Sequence, residues 1–322
     1  MKMEIIKFMD IPGIKVGHEQ DFNAATGCTV VICEEGASAG VDVRGGAPGT
    51  RETDLLNPVN LVDKMHAVLL AGGSAFGLDA AAGVMQYLEE RGAGFDVGVT
   101  KVPIVGSAVL FDLAAGDHKT RPDKEMGYRA CLKSGSAECP QGTVGAGTGA
   151  TVGKLLGMGS AMKGGLGTYC LKVGELMVGA IVAVNCLGDV INPESGEILA
   201  GAIADDLSFI NTEEVMLKQY DSSRNAFTGN TTIGVIATNA VLTKAQANKV
   251  ASMAHNGYGR TIRPAHTMFD GDTIFVMATG KVQADVNVTG MLAARVMEQA
   301  VMNAVTEAAP IHGFKAYRDL NK

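Results

Sequence analysis

The sequence predicts a layered α/β fold, and three of its features carry that expectation. Short apolar runs of β-type composition alternate along the chain with helical stretches. Of the 322 residues, 47% are hydrophobic, enough to bury a large core in one domain or two intimate ones. The chain holds 42 glycines beside no tryptophan and few aromatic residues, so tight turns and close backbone contacts stand in for an aromatic core. The glycines follow no fixed period, which excludes collagen and solenoid architectures.

Buried strands are expected at 29–32, 67–70, 176–184, 232–238 and 273–278. A helix is expected over 79–91, with Leu88, Glu89 and Glu90 near its end and Gly92 as the C-cap. A second begins at Thr243 as N-cap and runs through Ala247, Val250 and Ala251 to Ala254. A third, over 290–308, places Leu292, Val296, Ala300 and Val301 near one face. Helices covering both faces of stacked sheets fit this order, although strand order is not readable from periodicity. The polar stretch 218–230, KQYDSSRNAFTGN, is expected to be an exposed loop.

Composition excludes several functions. Lys and Arg total 27 against 34 Asp and Glu, for a net charge of −7, and the basic residues are scattered, which disfavours nucleic acid as a partner. The six cysteines form no CxxC pair and no Cys/His spacing suited to zinc, so reduced thiols in a cytoplasmic protein are expected, with no metal. Residues 1–13 mix Lys2, Glu4, Lys7 and Asp10 with apolar residues, unlike a secretory signal. No segment reaches the roughly 20 apolar residues of a membrane helix, so a soluble protein that does not engage a membrane is expected.

The sharpest local feature is Gly229, Asn230, Thr231, Thr232, followed at once by the apolar run Ile233 to Ala237. Scission between Asn230 and Thr231 would give Thr231 both a hydroxyl and a free α-amine, whose reference pKa near 8 suits a general base. Taken alone, the tetrapeptide reads first as a β-branched residue entering a strand after a turn. Gly72, Gly73 and Ser74 precede a helix start. Ser74 could be a nucleophile on that turn, but the segment does not match a GxSxG elbow, and a structural or substrate-pocket role suits the three better. The run 145–149, GAGTG, supplies neither GxGxxG nor GxxxxGK[ST], so phosphate binding is not expected.

The segment GNTTIGVIATNA at 229–240 resembles the start of the small subunit in the DmpA-like L-aminopeptidase/D-esterases, peptidase family S58, which are made as one chain and cut themselves before a Ser or Thr. GIKVGH (13–18), TGCTVV (26–31), VRGGAPGTRETDLL (43–56), LAGGSAFGLDAAAGVM (70–85), GTVGAGTGATVG (142–153) and MKGGLGT (162–168) are similar to the family in the same order. The likeness therefore spans nearly the whole chain.

The resemblance implies an αββα sandwich like that of N-terminal-nucleophile hydrolases with different connectivity. It also implies a single domain over 1–322 cut into 1–230 and 231–322, and a homo-oligomer of processed pairs. It places Asn185 where the family has an oxyanion-binding Asn, and an amide NH2 is a sound donor to developing charge. Without the family, Asn185 is a turn residue. Asp272 aligns with the family's acidic residue that orients the nucleophile. Asp270 falls where characterised aminopeptidases carry a Ser, a departure that puts the proton route in doubt because a carboxylate cannot both donate and accept as a hydroxyl does. A plain DGD turn or a surface calcium-like loop is the alternative for Asp270, and Thr267 and His266 are weaker candidates.

The expected chemistry is attack by Thr231 on the Asn230 carbonyl, an N-to-O shift and hydrolysis. The processed enzyme would then act on amino-acid amides, short peptides or esters, a pantetheine-type amide included, without metal or organic cofactor. The rivals are an uncut, non-catalytic binding protein of the same fold and a serine hydrolase acting through Ser74.

Overall fold

A computed structural model describes residues 3–221 and 229–320. Ten strands share one hydrogen-bonded sheet: β1 (Met3–Ile5), β2 (Lys15–Asp21), β3 (Thr26–Val43), β4 (Thr50–Arg51), β5 (Lys64–Ala71), β6 (Val105–Val109), β7 (Gly165–Val173), β8 (Leu176–Asn185), β9 (Thr231–Ala240) and β10 (Thr273–Val282). Their order is β1-β7-β8-β9-β10-β3-β5-β6-β4, with β2 also on β3. Among the described residues only the pairs β9·β10 and β5·β6 are parallel.

Strand β3 makes this sheet into two layers. Residues 26–32 pair with β2 and β5, whereas 38–43 pair with β10. Between them the register against β5 slips, and Gly36 sits at φ +76°, the left-handed turn that a bulge needs.

The side chains show the layering. On β9, Ile233, Val235 and Ala237 join Ile181, Phe275, Val31, Val68 and Leu70 in a core between the two layers. Ile236, of opposite parity, joins Val182, Val276 and residues of helices α3 (Lys244–Thr261) and α4 (Val286–Thr306). A third core packs Val30, Ala67 and Leu69 against helices α1 (Ala80–Glu89) and α2 (Lys124–Leu132). Helix pair, sheet, sheet, helix pair is the αββα sandwich expected from the resemblance.

The five expected strands lie within β3, β5, β8, β9 and β10, and the three expected helices within or across α1, α3 and α4. Thr243 caps α3 through a capping box with Gln246. Strand β7 escapes pattern reading because it lies under a helix at backbone distance. A Cβ on Gly167 would come within 2.0 Å of Ala300 O on α4.

The exposed-loop expectation needs correcting at its end. A short helix, Thr212–Lys218, runs into it, and 222–228 lie outside the described residues. Gly229 and Asn230 are buried, however. Gly229 takes φ +58° with the Phe111 ring where a Cβ would stand, so only glycine lets the chain dive under that ring. Among the described residues no helix is long and apolar enough to cross a membrane.

Two glycine substitutions separate packing from propensity. Gly167→Ala should destabilise by about 3 kcal/mol or more, because helix backbone cannot retreat as a side chain can. Gly259→Ala, on the exposed face of α3 with open space around it, should stabilise by about 0.5–1 kcal/mol. Denaturant titration of both variants checks the contrast.

Candidate active site

The last rung of the β8·β9 ladder places Asn185 opposite Thr231. Both share the parity of the residues that fill the space between the sheets, so their side chains meet at the mouth of that layer. Neither is open to bulk solvent; Asn185 is 0% and Thr231 4% exposed.

The peptide bond before Thr231 is held from two sides. The Thr231 hydroxyl donates to the carbonyl oxygen of Asn230, and the Gly271 N–H donates to the same oxygen at 3.1 Å. Gly271 has no freedom to be larger, since a Cβ there would lie 2.9 Å from Thr231 Oγ1 and 2.8 Å from Ala47 O.

Asn185 is fixed in one orientation. Its Oδ1 accepts from Thr151 N and from Lys154 Nζ, both at 2.9 Å. Its Nδ2 therefore donates, to Phe111 O at 3.1 Å and Gly229 O at 3.3 Å. In the uncut chain its amide thus holds the carbonyl one residue before the bond, and the Asn230 carbonyl oxygen takes the Gly271 N–H instead.

Lys154 completes this arrangement and was not foreseen from sequence. Its Nζ donates to Asn185 O at 2.9 Å and Gly229 O at 3.3 Å besides Asn185 Oδ1. Burial pushes its ammonium down to about 7, partly opposed by Cys186, Asp270 and Asp112. The signal was present, because Lys154 and Lys163 stand in a glycine-rich apolar stretch with no neighbouring acid. Lys163 is buried too, donating to Gly147 O, Ala150 O and Gly164 O at 2.7, 2.8 and 3.0 Å. Burial brings it likewise to about 7.

The two acids of the DGD turn have separate partners. Asp272 Oδ1 accepts from Thr232 N at 2.8 Å, and Oδ2 from His266 N at 3.0 Å and His266 Nδ1 at 2.9 Å. Asp270 accepts from Leu187 N at 3.3 Å, from Thr267 N at 3.1 Å and from the Thr267 hydroxyl. Burial, and then the Asp272 charge, push the Asp270 carboxyl upward. The turn is tied to the RGGAPG segment through Arg44 N and Ala47 N, which donate to Asp272 O and Asp270 O.

A small pocket of about 120 Å³ opens beside Thr231, walled by Ala47, Pro48, Ser74, Phe111 and Phe269. Of the candidate pocket residues, Ser74 reaches this wall, while Gly72, Gly73 and Thr267 do not. Gly73 N instead donates to Asp112 Oδ1 at 2.7 Å, and a Cβ on Gly72 would strike the same carboxylate. Asp112, also bonded to Thr26 Oγ1 at 2.7 Å, is driven up to about 6 by burial. Among the described residues none hydrogen-bonds the Ser74 hydroxyl. No group of three or more His, Cys, Asp or Glu among the described residues is placed to hold a metal ion.

The two buried lysines give stability a definite pH dependence. Each binds a proton in the unfolded chain up to about 10.5 but holds it in the folded chain only up to about 7. The unfolded state therefore carries more protons above pH 7, and stability rises with pH there, by up to about 1.4 kcal/mol per unit for each lysine. Below pH 7 both states are charged, and the cost of the buried ammonium is fully present. Lys163→Met should remove close to half of this slope between pH 7 and 8.5, read from denaturant unfolding at several pH values.

The sequence and the fold of the chain are similar to those of known proteins. A sequence model of peptidase family S58 matches residues 7–318. The chain is 43% identical to an uncharacterized aminopeptidase of Mycobacterium tuberculosis, over 97% of this chain and 96% of that one. It is 32% identical to a 6-aminohexanoate-oligomer endohydrolase of Kocuria sp., over 94% and 86%. Its fold is similar to that of the L-aminopeptidase D-Ala-esterase/amidase from Ochrobactrum anthropi, described as a variant of the Ntn hydrolase fold. There the TM-score is 0.73 at 18% identity, covering 97% of this chain and 91% of that one. A Burkholderia sp. beta-aminopeptidase gives a TM-score of 0.69 at 19% identity, with 98% and 92% covered. The chain belongs to peptidase family S58 and is a hydrolase of the aminopeptidase type.

Proposed function

We propose that this hydrolase cuts itself between Asn230 and Thr231 and then uses Thr231 as an N-terminal nucleophile on small amides, short peptides with a free amino terminus, or related esters. The observation that carries this reading is the Thr231 hydroxyl seated on the carbonyl of the bond to be broken, with Gly271 N–H on the same oxygen.

In the first step Thr231 Oγ1 adds to the Asn230 carbonyl carbon, and charge develops on the oxygen that Gly271 N–H already holds. The C–N bond then breaks, the Thr231 nitrogen takes the hydroxyl proton, and an ester joins Asn230 to Oγ1. Water hydrolyses that ester, leaving a carboxylate on Asn230 and a free amine on Thr231. Once the segment ending at Asn230 withdraws, Asn185 Nδ2 and Lys154 Nζ face an incoming substrate carbonyl in place of Gly229 O. Thr231 Oγ1 then attacks that carbonyl carbon while the Thr231 amine, with a reference pKa near 8, takes the Oγ1 proton and returns it to the leaving group, and water hydrolyses the resulting acyl ester to free Oγ1. The small, largely apolar wall suits a small acyl group.

Support comes from the family and from relatives named as aminopeptidases. Intact mass of the purified protein tests it. Wild type should give fragments 1–230 and 231–322, Thr231→Ala one full-length chain, and Thr231→Ser the fragments again. Full-length chain in wild type and Thr231→Ala alike would overturn self-processing and favour an uncut binding protein. In processed enzyme, Asn185→Ala should lower kcat by about 100-fold on an amino-acid anilide, measured by steady-state kinetics.

A further inference from the structure

We infer that His266 is a positioning residue for the Thr231 site, holding the Asp272 carboxylate and, through it, the start of the strand that carries the nucleophile. The inference rests on the reading of Thr231 as nucleophile and assigns the imidazole no contact with substrate.

Two bonds from one residue converge on one oxygen, since His266 N and Nδ1 both meet Asp272 Oδ2, at 3.0 and 2.9 Å. An ionised carboxylate only accepts, so Nδ1 carries the hydrogen. The other oxygen takes Thr232 N at 2.8 Å. Asp272 thereby links His266 to the peptide that follows Thr231. His266 adopts φ +58°, a left-handed conformation that non-glycine residues rarely take and that clusters at functional sites.

The imidazole is also wedged from behind. The His255 ring of α3 meets it edge-on at 4.9 Å between centroids, and Tyr258 lies at 6.2 Å. His255 Nε2 donates to Asp42 O at 3.0 Å, and burial drives its pKa down, so this wall is neutral at pH 7. The charged groups that act on the pair are Asp272, bonded to His266, and Asp42 and Arg44 at the end of β3, beside His255. The His266 side chain is 22% exposed and that of Asp272 2%. The histidine thus stands between solvent and a buried carboxylate whose other oxygen grips the nucleophile strand.

Two variants isolate the side chain while sparing the backbone. Both His266→Gly and His266→Asn accept a positive φ and keep the backbone N–H on Asp272, but only Asn also keeps a side-chain donor toward it. Self-cleavage should slow at least tenfold in His266→Gly and return to within about threefold of wild type in His266→Asn. In processed enzyme kcat should fall by a similar factor with KM changed less than twofold, and added imidazole should restore part of the His266→Gly rate. Amide hydrogen exchange at Thr232 provides a readout free of activity. It should be at least tenfold faster in His266→Gly than in wild type, with His266→Asn in between. Unchanged Thr232 exchange, or equal losses in both variants without imidazole rescue, would overturn the inference. Wild type that stays whole would overturn the Thr231 reading instead, while the exchange result still decides whether His266 holds the strand.

Discussion

The site depends on how the ladder between β9 and β10 begins. Strand β9 is buried at all ten positions, and its paired neighbour β10 starts only at Thr273. The backbone groups of 230–232 therefore extend past the end of their partner strand, into a region where unpaired N–H and C=O groups are costly. The DGD turn meets that demand. Gly271 N–H takes the Asn230 carbonyl, and the Asp272 side chain takes Thr232 N–H in place of a backbone acceptor. The groups that finish a parallel ladder are thus the ones poised around the 230–231 peptide, and structural closure and candidate chemistry are one arrangement.

On the β8 side the equivalent constraint is the buried ammonium of Lys154. Bringing that charge out of water would cost several kcal/mol if it were unpartnered. Three oxygens surround it, two from Asn185 and one from Gly229. The same contacts decide which way Asn185 points, because with Oδ1 taken by Lys154 and Thr151 N its NH2 can only face the Gly229 and Phe111 carbonyls. A lysine inside an apolar layer thus joins the Thr151 N–H in setting the direction of the Asn185 amide.

The elements were legible in sequence where local signals decide them. Apolar runs marked the strands buried on both faces, and the Thr243 cap marked the start of α3. What escaped depends on distant contacts. Gly167 reads as a strand breaker until helix backbone is seen lying on it, and Gly36 as a turn until β3 is seen crossing between layers. Lys154 stands out as a lone charge in an apolar stretch, but its partners at 185 and 229 lie far along the chain and no local pattern names them. Thr231 and Asn185 became candidates through family likeness, and the register that sets them opposite each other is a property of the ladder, which no local pattern encodes. Gly229 and Asn230 looked exposed because their composition is that of a loop, although the Phe111 ring covers the glycine.

Asp270 illustrates how a departure from family pattern finds its explanation in packing. Its carboxyl replaces a hydroxyl expected at that position, yet its contacts are with Thr267 N, the Thr267 hydroxyl and Leu187 N. The first two close the 267–270 turn on itself, as an Asp commonly does. The third reaches the residue two beyond Asn185, joining the exit of β8 to the turn that caps β10. An Asp at 270 therefore fastens the two sides of the site together, with Asn185 on one and Gly271 and Asp272 on the other. Burial and the Asp272 charge raise its carboxyl, so a proton held there would ease the repulsion between the two acids of the turn. On this geometry the Asp270 carboxyl bridges the two sides of the candidate site, through Leu187 N on one and the 267–270 turn on the other.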